Sequence, residues 1–213
     1  GDELIIIAIH VDDLLIATDS VDTYKKVADH LKQEFNIKEL DSDVYLGKQV
    51  QRNRKQRMLK VHQEHSVHTA LEQFKMTDCK PVKTPAVANN VLQSLAKDAE
   101  TQAGKVPSRE LCGQMIWLLH TRPDLQWAVT QACRHMAHFG EEHWRAGKHI
   151  LRYLQGTKDH GLVFKAGKDP EFQVFVDAGH NTTEDGRSSW GVLVIYGEYG
   201  VIYCKCGLSS VQC

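Results

Sequence analysis

The 213-residue chain lacks a charge bias: 26 Lys and Arg stand against 27 Asp and Glu, a net charge of -1. That removes any global basic signal for nucleic acid, although a groove needs only local Lys and Arg. A long apolar run is missing too. The longest, Leu4 to Ile9, is far too short to cross a bilayer, and no secretory leader is visible. The expectation is an intracellular chain with no membrane partner. The six cysteines (Cys79, Cys112, Cys133, Cys204, Cys206 and Cys213) are scattered, and none forms a Cys-x-x-Cys pair. This argues against a disulfide framework or a zinc site and predicts reduced thiols. Internal repeats and low-complexity tracts are also absent.

What is present is an ordinary globular balance, 42% hydrophobic and 25% charged, enough for one large domain or two small ones. Leu4 to Ile9 is β-branched and reads as a buried strand. His10-Val11-Asp12-Asp13 interrupts it, and Leu14 to Ala17 resumes it, so two carboxylates sit at the bend of a hairpin. Asp19-Ser20 caps a helix whose apolar face is Val21, Tyr24, Val27, Ala28, Leu31 and Phe35. A second hairpin runs from Tyr45–Val50 to Met58–Val61, with Arg52, Arg54, Lys55 and Arg57 in its turn. A helix follows over about Glu64 to Phe74. Pro81 and Pro85 mark a break, and Ala86 to Lys105 reads as a linker. Helices are predicted over Ser108–Leu119, Pro123–His138 and Glu141–Leu154. From Gly161 the pattern turns to strands at 162–164, 172–177, 190–196 and 201–206, and three successive strands suggest an antiparallel meander. Trp117, Trp127 and Trp144 fit core packing. Arg122 and Asp124 fit a helix cap with Pro123 in the first turn. His62, His65 and His68 fit structural or solvent-facing roles better than a metal pair. The chain opens in mid-strand and closes on Ser209 to Cys213 without a terminating element, which reads as a piece of a longer polyprotein.

Asp12 and Asp13 carry the sharpest chemistry. Adjacent carboxylates in an apolar hairpin are costly unless solvated or bound to cations. Mg²⁺ prefers carboxylate oxygens and keeps water or substrate phosphate as its other ligands. Paired ions of this kind drive phosphoryl transfer. On these residues alone an ordinary Asp-rich turn is the more economical reading.

The surrounding sequence changes that weighing. Ile9-His10-Val11-Asp12-Asp13-Leu14-Leu15-Ile16 resembles the Tyr-Val-Asp-Asp box of copia-type reverse transcriptases. The resemblance continues in order through Phe35 to Leu40, Tyr45-Leu46-Gly47, Phe74-Lys75-Met76 and Thr84-Pro85. It extends through Gly113 to Leu118, Thr121 to Leu125, Glu142-His143-Trp144 and Leu151 to Lys158. Phe172 to Ala178 resembles the first strand of the family's ribonuclease H, and Arg187 to Gly191 resembles its Arg-Ser-Thr-x-Gly segment.

The resemblance implies an α+β chain in three parts. Residues 1–105 would be reverse transcriptase palm and thumb, 106–165 a helical connection, and 166–213 the first antiparallel strands of a truncated ribonuclease H-like domain. It implies a retrotransposon Pol polyprotein with RNA- and DNA-templated synthesis, using RNA/DNA primer–template, dNTPs and paired Mg²⁺ ions. Asp12, Asp13 and Asp177 match catalytic, metal-holding carboxylates. His10, Gly47, Lys48, Arg52, Arg54, Lys55 and Arg57 match nucleic-acid contacts, the hairpin from Leu46 to Val61 taking the place of the primer grip. His10 replaces the usual Tyr, and Gly179-His180 replace Asp-Trp. The first palm carboxylate and the next nuclease Glu are missing, so the isolated chain is expected to be inactive. The alternative is a decayed or repurposed element that binds nucleic acid or protein without catalysis. The parent would work in the cytoplasm, within a virus-like particle, or in the nucleus.

Overall fold

A computed structural model describes residues 3–40, 43–87, 92–96, 99–101, 104–167, 171–180, 182–183, 186–198 and 200–212. The readings placed on Gly1-Asp2, on Cys213 and on parts of the 86–105 linker lie outside the described residues. The fold is mixed α/β with antiparallel sheets, and it divides into two compact units, Gly1–Val50 and Gln51–Cys213.

In the first unit, β1 (Ile5–His10) and β2 (Asp13–Thr18) pair antiparallel from Ile5↔Thr18 to His10↔Asp13. α1 (Val21–Glu34) starts where expected: the Ser20 hydroxyl accepts the Thr23 amide at 3.1 Å, which satisfies one of the helix's orphan donors. Its inner face is narrower than the apolar pattern suggests. Thr23 and Ala28 are buried, whereas Val21 and Phe35 are exposed. The following segment is tied back by Glu39, which accepts from the Tyr24 hydroxyl at 2.7 Å and pairs with Lys32. β3 (Val44–Tyr45) then meets the first residues of β4 (Lys48–Asn53).

The expectation of a buried first strand is not met. Ile6 is 58% exposed and Ile9 71%. The physical reason is layer count: within this unit a two-stranded ribbon and one helix cannot cover both faces of the ribbon.

The second unit holds the core. After β4, β5 (Met58–His62) and α2 (Glu64–Gln73) come α3 (Ser108–Leu118), a 3-10 turn at Pro123–Leu125, α4 (Gln126–Arg134) and α5 (Glu141–Gly156). The single helix expected over Pro123–His138 is thus a 3-10 turn and a shorter α-helix, ending where His135 leaves helical geometry. The apolar faces of these helices converge on Val67, Leu71, Leu111, Met115, Leu125, Val129, Leu151 and Leu154, all effectively sealed from solvent. Trp144 packs on this cluster. Trp117 and Trp127, expected inside, are 39% and 47% exposed, because aliphatic residues on the same helices already fill the interior.

β6 (Gly161–Lys165) pairs antiparallel with β5, from Met58↔Lys165 to His62↔Gly161. β7 (Phe172–Gly179), β8 (Arg187–Tyr196) and β9 (Gly200–Gln212) form the meander the turn spacing suggested. The register puts Phe175, Leu193 and Cys204 on one face. On that face Cys204 Sγ reaches the Pro123 carbonyl at 3.9 Å, and Cys206 Sγ lies 3.5 Å from the Thr130 hydroxyl. The pairing of Cys204 and Cys206 on one face therefore serves packing against the helices. The described cysteines are all free thiols.

Candidate functional site

The acidic tip is built by the β1–β2 connection. Because His10 pairs with Asp13, the loop between them is just Val11 and Asp12. Val11 takes φ 51°, a region that β-branched residues strongly avoid. Such a strained turn holds only where its surroundings over-determine it, and strained residues gather at functional sites. The consequence is positional. Asp12 occupies the turn and Asp13 opens β2, so both carboxylates are exposed at the end of the ribbon. His10, also exposed, flanks them across the ladder. No third His, Cys, Asp or Glu joins them in a metal-sized cluster among the described residues. Two hard oxygen donors at an open tip fit a partial Mg²⁺ set, with the remaining positions left for water or phosphate.

Gly47 sits in a two-residue turn with Leu46, between Tyr45 and Lys48, which pair with each other. Leu46 and Gly47 take φ 49° and 70°, the left-handed pair that a tight hairpin requires. Glycine at the second position is therefore explained by backbone alone. Lys48 is half-buried and donates to the Leu46 carbonyl at 3.5 Å. Burial pushes its ammonium below the ordinary lysine range.

The β4–β5 connection belongs to the second unit. Asn53 Oδ1 accepts the Gln56 amide at 3.0 Å, and the Arg57 amide donates to the Arg54 carbonyl at 3.2 Å. Arg57 takes φ 52°, and its carbonyl accepts the Ala166 amide at 2.9 Å. The loop is thus fixed by its own hydrogen bonds, while Arg52, Arg54, Lys55 and Arg57 are exposed. Four cations on one ordered bend make a local positive field in a chain of net charge -1.

Asp177 stands alone. It lies near the end of β7, exposed and opposite Gly191. The described residues place no cluster of metal-binding groups around it, and one carboxylate cannot by itself build a paired-metal site.

A polar junction that the sequence marked only as a cap is more consequential. Among the described residues Arg122 is the largest fully buried side chain, 1% exposed. Its guanidinium grips the Asp124 carboxylate, with an Nη2–Oδ2 distance of 2.7 Å, and donates to the Thr157 carbonyl and hydroxyl at 2.9 and 2.8 Å. The Tyr153 hydroxyl also donates to Asp124, at 2.9 Å. Burial disfavours the Asp124 anion, but Arg122 and Tyr153 outweigh it and hold its carboxyl below the usual range. The junction locks the entry to α4 against the end of α5. A groove of about 220 Å³ lined by Trp127, Gln131, Arg145 and His149 contains none of the candidate catalytic, metal-holding or nucleic-acid-contacting residues.

Comparison with known proteins places these features. Residues 1–88 match the family model for reverse transcriptase (RNA-dependent DNA polymerase). The retrovirus-related Pol polyprotein from transposon TNT 1-94 of Nicotiana tabacum is 34% identical over 191 residues, 87% of this chain. The corresponding polyprotein from transposon RE2 of Arabidopsis thaliana is 31% identical over 207 residues, 94% of this chain.

The chain belongs to the copia-type Pol polyprotein family.

It spans only 14% of the length of each of these two Pol polyproteins. An uncharacterized mitochondrial protein of Arabidopsis thaliana, 28% identical, is covered over 78% of its length. No solved structure matches the chain. The matched reverse transcriptase region holds the acidic tip and the basic hairpin of this Pol segment, and the transposon relatives carry the similarity onward through the helices.

Proposed function

We propose that this Pol segment supplies part of the palm and thumb of an RNA-directed DNA polymerase, followed by the first strands of a ribonuclease H domain. The observation carrying the reading is the Val11 turn, which accepts backbone strain in order to present Asp12 and Asp13 together. In the parent enzyme these carboxylates would hold Mg²⁺. The metal would neutralise the incoming triphosphate and favour attack by the primer 3′ hydroxyl. The protein's own contribution is positional: the hairpin fixes two anions at an open tip, so little reorganisation is needed during reaction. Arg52, Arg54, Lys55 and Arg57 would contact primer–template phosphates, with affinity falling as salt rises. Asp177 would contribute one carboxylate to a nuclease site that other parts of the polyprotein complete.

The direct test uses Mn²⁺ as a paramagnetic probe in place of Mg²⁺. Amide signals around residues 11–13 should broaden selectively, and Asp12→Asn with Asp13→Asn should abolish the effect. Uniform broadening, or none, would count against a metal-holding tip. The isolated chain should not extend a primer; robust extension lost on Asp12→Asn would show that its carboxylate set is complete.

A second reading, a repurposed binder without catalysis, is favoured by His10 in place of Tyr and by the solitary Asp177. It keeps salt-dependent primer–template binding but loses selective Mn²⁺ broadening at the tip.

A further inference from the structure

Two cysteines meet in the helical core of the second unit. Cys112 lies on α3 and Cys133 near the end of α4, and the packing of those helices brings them together. The Cys133 sulfur is 3.9 Å from the Cys112 carbonyl oxygen, so one side chain lies against the other residue's main chain. The two sulfurs also share a hydrogen bond. That bond draws the Cys112 thiol below the ordinary cysteine range, while the same contact and burial push the Cys133 thiol up. Both residues are free thiols. Among the described cysteines these two bond sulfur to sulfur, whereas Cys204 and Cys206 reach oxygen atoms.

Their exposure differs. Cys112 is 1% exposed, and Cys133 is half-buried at the margin of the core. The pair thus has an inner sulfur, with the easier proton to lose, and an outer residue that solvent reaches.

We propose that Cys112 and Cys133 are a reversible thiol–disulfide pair that fastens α3 to α4 when hydrogen peroxide is present. One proton leaves the pair for solvent, and the proton between the sulfurs crosses to Cys112. The Cys133 thiolate attacks the peroxide: a sulfur–oxygen bond forms and the oxygen–oxygen bond breaks. This leaves a Cys133 sulfenic acid and a hydroxide, which takes up a solvent proton. The Cys112 sulfur then attacks Cys133, the sulfur–sulfur bond forms, and the departing hydroxide leaves with the Cys112 proton as water. Two thiols and one peroxide give one disulfide and two waters. An added thiol reverses the bond by exchange. The stretch closed in this way carries Arg122 and Asp124. A cross-link across it restricts the unfolded chain, so the oxidised form resists unfolding more than the reduced form.

The reduced chain is treated with hydrogen peroxide in native buffer, and the remaining thiols are then alkylated. Peptide mass spectrometry should show Cys112 joined to Cys133, with Cys79, Cys204 and Cys206 alkylated. The urea midpoint should rise on oxidation and return when dithiothreitol is added. Cys133→Ser should remove both effects, and Cys204→Ser should leave both in place. A chain whose thiols all stay open to alkylation would overturn the proposal. So would a cross-link that joins other cysteines first, or a Cys112–Cys133 link that leaves the midpoint unmoved. The linkage is read on the parent sequence, so a variant that fails to fold does not decide the outcome. None of these results depends on polymerase chemistry, so the proposal stands or fails separately from the function proposed above.

Discussion

The two units of this Pol segment distribute burial and chemistry in opposite ways. Among the described residues of Gly1–Val50 the buried side chains are Thr23 and Ala28, while the acidic tip and a β-branched residue at positive φ lie on the surface. In Gln51–Cys213 the helices close a continuous aliphatic core and bury a complete arginine junction. Backbone strain at Val11 and repulsion between two adjacent carboxylates cost stability, and both fall in the unit with few buried side chains. Stability and candidate catalysis thus map to different stretches of sequence.

The largest effect should come from the arginine junction. Arg122→Ala leaves Asp124 partly buried without its cation and removes the two guanidinium hydrogen bonds to Thr157. It should destabilise the second unit by about 3–5 kcal/mol in urea unfolding, whereas a loss within about 1 kcal/mol would show that the junction is dispensable.

A paired substitution sharpens the contrast between units. Leu154→Ala, in the sealed core, should cost about 2–5 kcal/mol. Ile9→Thr, on the exposed ribbon, should stay within about 0.5 kcal/mol by the same measurement. Similar losses at both positions would erase the distinction.

Val11→Gly removes a β-branched side chain from a left-handed turn. Strain relief should exceed the added chain entropy and stabilise the hairpin by about 1 kcal/mol. Amide exchange across β1 and β2 should slow accordingly, and faster exchange would show that Val11 is not strained.

The smallest expected effect is a pH dependence. His62 is buried with neither ring nitrogen hydrogen-bonded. Burial, assisted by nearby Lys60, lowers its pKa, while Glu64 and Asp159 oppose the shift. The unfolded chain therefore takes up this proton first as pH falls. The stabilisation is complete above the ordinary imidazole range and is lost progressively as pH drops from it toward the lower folded value. Urea midpoints of His62→Leu should fall less on acidification than those of the parent chain.

Much of this was legible beforehand, for identifiable reasons. Ser20 before an amphipathic run marked α1, and the Arg-rich bend between apolar segments marked the β4–β5 hairpin. Local signals of this kind need no tertiary context. Burial of β1 was misjudged because β-branched composition reports strand propensity without saying whether a second layer exists. Trp117 and Trp127 were misplaced because helical periodicity allows several faces, and only packing chooses among them. The depth of Arg122 was invisible because its partners Tyr153 and Thr157 lie far along the chain. For the site, the residue types at the acidic tip could be read directly. The Val11 geometry could not, since a turn of Val and Asp carries no glycine to announce a left-handed residue.

The pairing of β5 with β6 also sets a schedule. The two strands lie roughly a hundred residues apart, so closing that ladder carries a long-loop entropy cost and slows folding. At a synthesis rate of about 5–20 residues per second, β5 leaves the ribosome roughly 5–20 seconds before its partner. The intervening helices have that interval in which to condense. β6 then arrives at an edge already held in place, and a nascent chain stalled just short of Gly161 would carry β5 as an open template for misassembly.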